Sequence, residues 1–117
     1  MLSIPRQLKV YLCAEPADMR KGFDTLAALV RDTLSLDPLS GQLFVFRSRR
    51  GDRVKLLYWD EDGYALWYKR LEAGVFRFPA AEPEQRSVTI SAGDLALLLD
   101  GVDLASVRRG RRYRRPA

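Results

Sequence analysis

Residues 42–78 read QLFVFRSRRGDRVKLLYWDEDGYALWYKRLEAGVFRF, and the class of fold turns on the period of this stretch. Four segments rich in aromatic and branched residues, QLFVF (42–46), RVKLLYW (53–59), YALWYKRL (64–71) and VFRF (75–78), read as strands. The spacers SRRG, DEDG and EAG each end in Gly near the turn, where a positive φ is often required. Three successive hairpins predict a four-stranded antiparallel meander. Pairing across the turns sets Trp59 near Tyr64 or Leu66, Phe46 near Lys55, and Arg70 near Arg77. One face then gathers Leu43, Val45, Val54, Leu56, Tyr58, Trp67, Leu71, Phe76 and Phe78, a core face suited to packing against a helix. The other gathers Phe44, Phe46, Lys55, Leu57, Trp59, Tyr64, Leu66, Tyr68, Arg70 and Arg77. A one-residue slip would exchange the two faces.

Upstream, LKVYLC (8–13) alternates as a strand, and EPA turns the chain into a helix. Asp18 suits the N-cap, and Met19, Phe23, Leu26, Val30 and Leu34 recur at helical spacing. The breakers in SLDPLSG end this helix near Leu34. Arg20 and Lys21 then occupy its first turn, where the macrodipole disfavours cations. Gly22 adds about 1 kcal/mol relative to Ala. Either Asp18, Asp24 or a hairpin acid pairs with these two cations, or they face an external anion such as a phosphate. Downstream, PAAEPEQR is a polar loop, SVTIS (87–91) one more short strand, and SAGDLALLLDG a short helix with Ser91 as N-cap and Gly101 as C-cap. The expected fold is therefore a single α+β domain over 1–107. Its antiparallel sheet of four or five strands packs on the 18–34 helix, with a short C-terminal helix, and a flexible Arg-rich tail follows at 108–117.

A chain of 117 residues, 47% hydrophobic and 30% charged, has the balance of a soluble globular domain. No apolar run approaches the ~20 residues that cross a bilayer, and the N-terminus lacks the pattern of a signal peptide. The lone Cys13 allows no internal disulfide and fits a reducing cytoplasm. The sequence contains no histidine, which removes zinc fingers, His-based metal clusters and Ser-His or Cys-His nucleophilic pairs. Neither GxxxxGK[ST] nor GxGxxG occurs. No cofactor or metal site is expected.

The net charge of +5 is unevenly placed. The run RRGRRYRR (108–115) holds six of the twenty Lys and Arg, leaving fourteen against fifteen acids in residues 1–107. Such a run, with Arg108, Arg109, Arg111 and Arg112 at its start, attracts phosphate by Coulomb forces and counterion release, or serves only solubility. Within the domain, RSRRGDRVK (47–55) concentrates five cations around one turn, the geometry of a ribbon entering a groove or of a charge-protected edge. The aromatic and basic face offers rings for bases and cations for phosphates. Its alternatives are a second core face covered by helices, or a dimer interface. Asp60, Glu61 and Asp62 could bind a divalent cation in a nuclease, but three acids in one tight turn, without a further ligand, read as a solvated turn.

Three blocks, DMRKGFDTLAALV, FVFRSRRGDRVKLLYWDEDGYALWYKRLEAGVFRFP and LALLLDGVDL, resemble the accessory protein encoded by the second open reading frame of the sixty-sixth bacterial insertion-sequence family. These are the TnpB or Orf2-like proteins, unrelated to the RNA-guided nuclease that shares the TnpB name. The similarity runs from about residue 8 to 105. Family-like positions are Asp18, Met19, Arg20, Lys21 and Gly22, then Phe46, Arg49, Arg50, Gly51, Asp52, Arg53, Lys55, Trp59, Asp60, Gly63, Tyr68, Lys69, Arg70, Leu71, Phe76 and Pro79. The resemblance implies a small cytoplasmic protein that assists DNA transposition beside a separate transposase and another accessory protein, with strand transfer left to the transposase. The expected function is thus a non-catalytic factor that binds DNA, the transposase complex, or both. A protein adaptor without DNA contact is the alternative, and a metal-dependent nuclease the remote one. Candidate nucleic-acid contacts are Arg20, Lys21, Arg47, Arg49, Arg50, Arg53, Lys55, Trp59, Tyr68, Lys69, Arg70 and Arg77, with Arg108, Arg109, Arg111 and Arg112 of the tail. Homo-oligomerisation is compatible with all of these.

Overall fold

The computed structural model describes residues 7–105. The tail, with Arg108, Arg109, Arg111 and Arg112, lies outside the described residues. Five strands, β1 (Lys9–Cys13), β2 (Leu43–Arg47), β3 (Arg53–Asp60), β4 (Gly63–Arg70) and β5 (Ser87–Ser91), and two helices, α1 (Phe23–Asp32) and α2 (Ala92–Leu99), follow in the order β1-α1-β2-β3-β4-β5-α2. The sheet order is β4-β3-β2-β1-β5.

The sheet is mixed rather than wholly antiparallel. β2, β3 and β4 form the expected antiparallel meander, with Phe46 opposite Lys55 and Trp59 opposite Tyr64. β1, however, runs parallel to β2, pairing Val10 with Leu43 and Leu12 with Val45. The connection between them is α1, because parallel neighbours need a crossover long enough to return the chain to the same end. β5 closes the other side of β1 in antiparallel register, Val10 opposite Ile90.

The segment 75–78 is not a strand, so Arg70 pairs with Arg53 instead of Arg77. After β4 the chain folds back over the β2–β3 loop: the Leu71 amide donates to the Asp52 carbonyl and the Phe76 amide to the Gly51 carbonyl, both at 2.8 Å. Phe76 is then buried in the core, and Phe78 packs against it partly buried. Removing this apolar area from water outweighs one more edge ladder.

The two sheet faces contain the residues expected of them from β2, β3 and β4, whereas Phe76, Arg77 and Phe78 lie outside the sheet. Leu43, Val45, Val54 and Leu56 pack with Phe76, Leu95 and Leu98, so the face assigned to the long helix lies under α2. The long helix covers the opposite face, where Leu26, Ala27 and Val30 meet Phe44, Phe46 and Leu57. Of the readings open for the basic and aromatic face, that of a second core face covered by a helix therefore holds over most of its width. The result is three layers, helix on sheet on helix.

α1 starts at Phe23, not Asp18, with Gly22 as its N-cap. The Gly22 amide is satisfied by Thr25 Oγ1 at 3.0 Å, and its carbonyl accepts the Leu26 amide. Gly is well tolerated at that position, so the penalty of cations in a first helical turn never arises. Phe23 consequently sits half exposed at the helix start. α2 begins as expected, Ser91 Oγ accepting the Asp94 amide, and Gly101 follows it with φ +88. Among the described residues, no helix is long and apolar enough to cross a membrane.

Candidate nucleic-acid interface

Because β1 and β2 are parallel, their C-terminal ends emerge side by side, and so do the loops that follow them, 14–22 and 48–52. Crevices beyond the carboxyl ends of parallel strands are where open sheets commonly receive ligands. Here the two loops are joined. Arg47 Nη2 donates to the Ala14 carbonyl at 2.8 Å, and the Ala17 amide donates to the Arg47 carbonyl at 2.9 Å. Lys55 Nζ donates to the Lys21 carbonyl at 2.7 Å and lies 4.6 Å from the Tyr68 ring centroid.

Between the loops lies an open groove of about 650 Å³, lined by residues 16–20, Ser48, Arg49, Arg50, Asp52, Arg53 and Tyr68. The far wall is shaped by a tight turn in which the Gly51 amide reaches the Ser48 carbonyl, with φ +83 at Gly51. Buried Ser48 braces it, its hydroxyl donating to Asp52 Oδ1 and accepting the Arg53 amide, both at 3.1 Å. Arg49 and Arg50 project from the tip and are exposed. They also line a second recess of about 320 Å³, bounded by Arg47, Phe76, Phe78 and residues 79–81. The tip is thus a basic ridge between two hollows.

Four guanidinium groups, those of Arg20, Arg49, Arg50 and Arg53, border the larger groove against two carboxylates, Asp18 and Asp52. Arg20 is already engaged: its Nη2 lies 2.7 Å from Asp18 Oδ2. The Arg20 side-chain hydrogen bonds, joined by its backbone amide, hold the Asp18 carboxyl well below the usual carboxylate range. Arg49, Arg50 and Arg53 form no ion pair among the described residues. Arginines without carboxylate partners beside an exposed ring, Tyr68 at 49% exposure, make a surface that attracts phosphate and can stack a base.

The remaining candidates are distributed elsewhere. Lys55 is in the interior, its ammonium bonded to a backbone carbonyl. Arg47 spends its guanidinium on Ala14 and on the Phe78 ring, 5.9 Å away. Lys21 meets the site through its carbonyl. Trp59 packs edge-on to Tyr64, 5.1 Å between centroids, at the opposite end of the sheet. Arg70, opposite Arg53, is exposed and paired with Glu72 at 3.0 Å. Lys69 points to the α2 side beside Val54, and Arg77 is exposed outside the sheet. Sequence reasoning overlooked Ser48 and Asp52 as the residues that shape the loop, although Ser and Asp flanking R-R-G are turn-forming types. Asp60, Glu61 and Asp62 lie at the far turn. Among the described residues no three His, Cys, Asp or Glu gather closely enough to hold a metal ion. Cys13 is buried, and that burial pushes its thiol pKa up, away from reactivity.

No solved structure matches this chain. Two proteins of Sinorhizobium fredii do match in sequence. Uncharacterized protein y4jC is 38% identical over 109 residues, covering 93% of this chain and 92% of its own length. Uncharacterized protein y4hO is 41% identical over 103 residues, covering 88% of each chain. The family model described as IS66 Orf2 like protein matches residues 8–109, spanning all five strands, both helices and the basic groove. By that match the chain belongs to the family of IS66 Orf2 like proteins, which ties it to bacterial insertion sequences.

Proposed function

We propose that this protein is a non-catalytic accessory factor of insertion-sequence transposition that contacts DNA through the groove between residues 16–20 and 48–53. The observation that carries the reading is the convergence of Arg49, Arg50 and Arg53, none in an ion pair among the described residues, beside the exposed Tyr68 ring. Guanidinium groups on a braced loop hold phosphate with little loss of side-chain freedom beyond their own. The tail, with Arg108, Arg109, Arg111 and Arg112, adds a second, sequence-independent attraction. The protein works in the cytoplasm beside the transposase and the element's other accessory protein, and strand transfer stays with the transposase.

Fluorescence anisotropy of the full chain with labelled element-end DNA, duplex and single-stranded, over a range of salt concentrations tests this reading. Binding that weakens linearly in log–log form with salt is expected. A pull-down against the transposase, with and without that DNA, runs beside it. Capture of transposase with no DNA affinity at low salt would replace this reading with a protein adaptor. Cleavage dependent on Mg²⁺ or Mn²⁺, lost in an Asp60→Asn/Asp62→Asn variant, would replace it with a nuclease.

A further inference from the structure

β4 is an edge of the sheet and, at eight residues, one of its two longest strands. The backbone groups it leaves without a partner among the described residues can be identified. The Arg53 carbonyl accepts the Ser48 amide, so the backbone of Arg53 faces β2. Its partner Arg70 therefore turns its own amide and carbonyl outward, and alternation along the ladder does the same for Tyr68, Leu66 and Tyr64. Natural edges are blunted by proline, bulges or charges along their length. This one pairs with β3 in unbroken register from Arg70 to Gly63 and is uncharged from Gly63 to Tyr68. The charges at its two ends are of opposite sign: Asp60, the last residue of β3, and Glu61 and Asp62 of the turn precede it, and Lys69 and Arg70 are its last residues.

We infer that β4 pairs with β4 of a second copy of this chain in antiparallel orientation, joining two five-stranded sheets across a twofold axis at Leu66. An antiparallel arrangement is the one that sets each acidic end against a basic end, and a twofold contact uses the same patch on both copies. Pairing outward groups with outward groups allows registers two residues apart, and the one that sets the turn residue Asp62 opposite Arg70 also sets Leu66 opposite Leu66 and Tyr64 opposite Tyr68. On the other side of the sheet Trp67 lies against Ala65 of the second copy, large against small. The ladder supplies about six backbone hydrogen bonds, and cross-strand pairs of these types stabilise sheets. Arg70, which stands opposite Arg53 and is paired with Glu72, gains a second carboxylate in Asp62 of the second copy. Asp60 and Glu72, which would approach each other in this register, lie beyond the paired outward groups.

The test is the mass of the full chain by sedimentation equilibrium, with charge-exchange variants at exposed positions. The parent protein forms a concentration-dependent dimer in the micromolar range. Asp62→Lys and Arg70→Glu each place like charges together twice per dimer and weaken it about tenfold. The combined variant Asp62→Lys/Arg70→Glu recovers most of that loss. A spin label at Lys69 reads the geometry separately: the two labels stand six residues apart along the ladder, about 20 Å between backbones. A monomeric mass at the highest soluble concentration overturns the inference. So does a combined variant no tighter than either single one, or a dimer without that label distance.

Discussion

Replacing Lys55 by Met separates a structural ammonium from a phosphate contact. The side chain is buried at 7% exposure, donates 2.7 Å to the Lys21 carbonyl, and stands 4.6 Å from the Tyr68 centroid. A hydrogen bond from a charged donor contributes about 1.5–3 kcal/mol. A partly desolvated cation over a ring adds about 0.5–2 kcal/mol. Met fills most of the vacated volume, so the cavity contribution is small. Against these stands the relief of desolvating an ammonium, which offsets part of the loss. The expected net destabilisation is about 2 kcal/mol, a fall in Tm of roughly 6–10 °C for a domain of this size. Thermal and urea unfolding, with an unchanged m-value, measure it. DNA affinity, assayed well below the transition, should stay within about twofold of the parent, because this ammonium is not at the surface. A variant as stable as the parent, with a salt slope flattened by about 0.9, would refute the reasoning and return Lys55 to the phosphate contacts.

Three further outcomes follow from named contacts. The Asp18 carboxyl, its pKa lowered chiefly by the Arg20 side-chain hydrogen bonds, should titrate by NMR below the other exposed carboxyls and move up in Arg20→Ala. The linked stability is present above the ordinary carboxylate pKa and lost as pH falls through the lowered one; screening by solvent at this exposed pair keeps it small. Leu95→Ala and Leu26→Ala, one on each helix, should each cost about 2–5 kcal/mol in a single cooperative transition. Selective melting of α2 in the first variant would show that the third layer is not part of the cooperative unit. Gly51→Ala, at φ +83 and 3.6 Å from Val75 Cβ, should cost about 1–2 kcal/mol by calorimetry; an unchanged Tm would show that the loop relaxes freely.

The hairpins were legible because period-2 segments and Gly-bearing spacers constrain their neighbours locally, and two of the three expected cross-strand neighbours hold. Strand direction was not. LKVYLC carries no mark of whether it lies parallel or antiparallel to LFVFR, although strand, helix, strand is itself a crossover pattern. The continuous apolar run Leu43–Phe46, all four buried, favours the alternative already open for the second face, a sheet covered on both sides. Asp18 misled because its side chain makes, with the Arg20 amide at 2.9 Å, the kind of local bond that serves turns as well as helix caps. VFRF alternates like a strand, and nothing local says that its rings are needed in a core built by α2. For the site, the cations around R-S-R-R-G-D-R were visible as a cluster. Which of them are unpaired depends on contacts 33 and 34 residues away, Arg47 to Ala14 and Lys55 to Lys21.

The most direct measurement is the salt dependence of element-end DNA binding by an Arg49→Glu/Arg50→Glu variant beside the parent. Both side chains are exposed at a loop tip, so stability should stay within about 0.5 kcal/mol of the parent. The predicted result is an affinity at least tenfold weaker at low salt and a log–log slope flattened by about 1.8, roughly 0.9 for each lost phosphate contact. A folded variant that binds with parental affinity and parental slope would contradict the assignment of this groove to DNA.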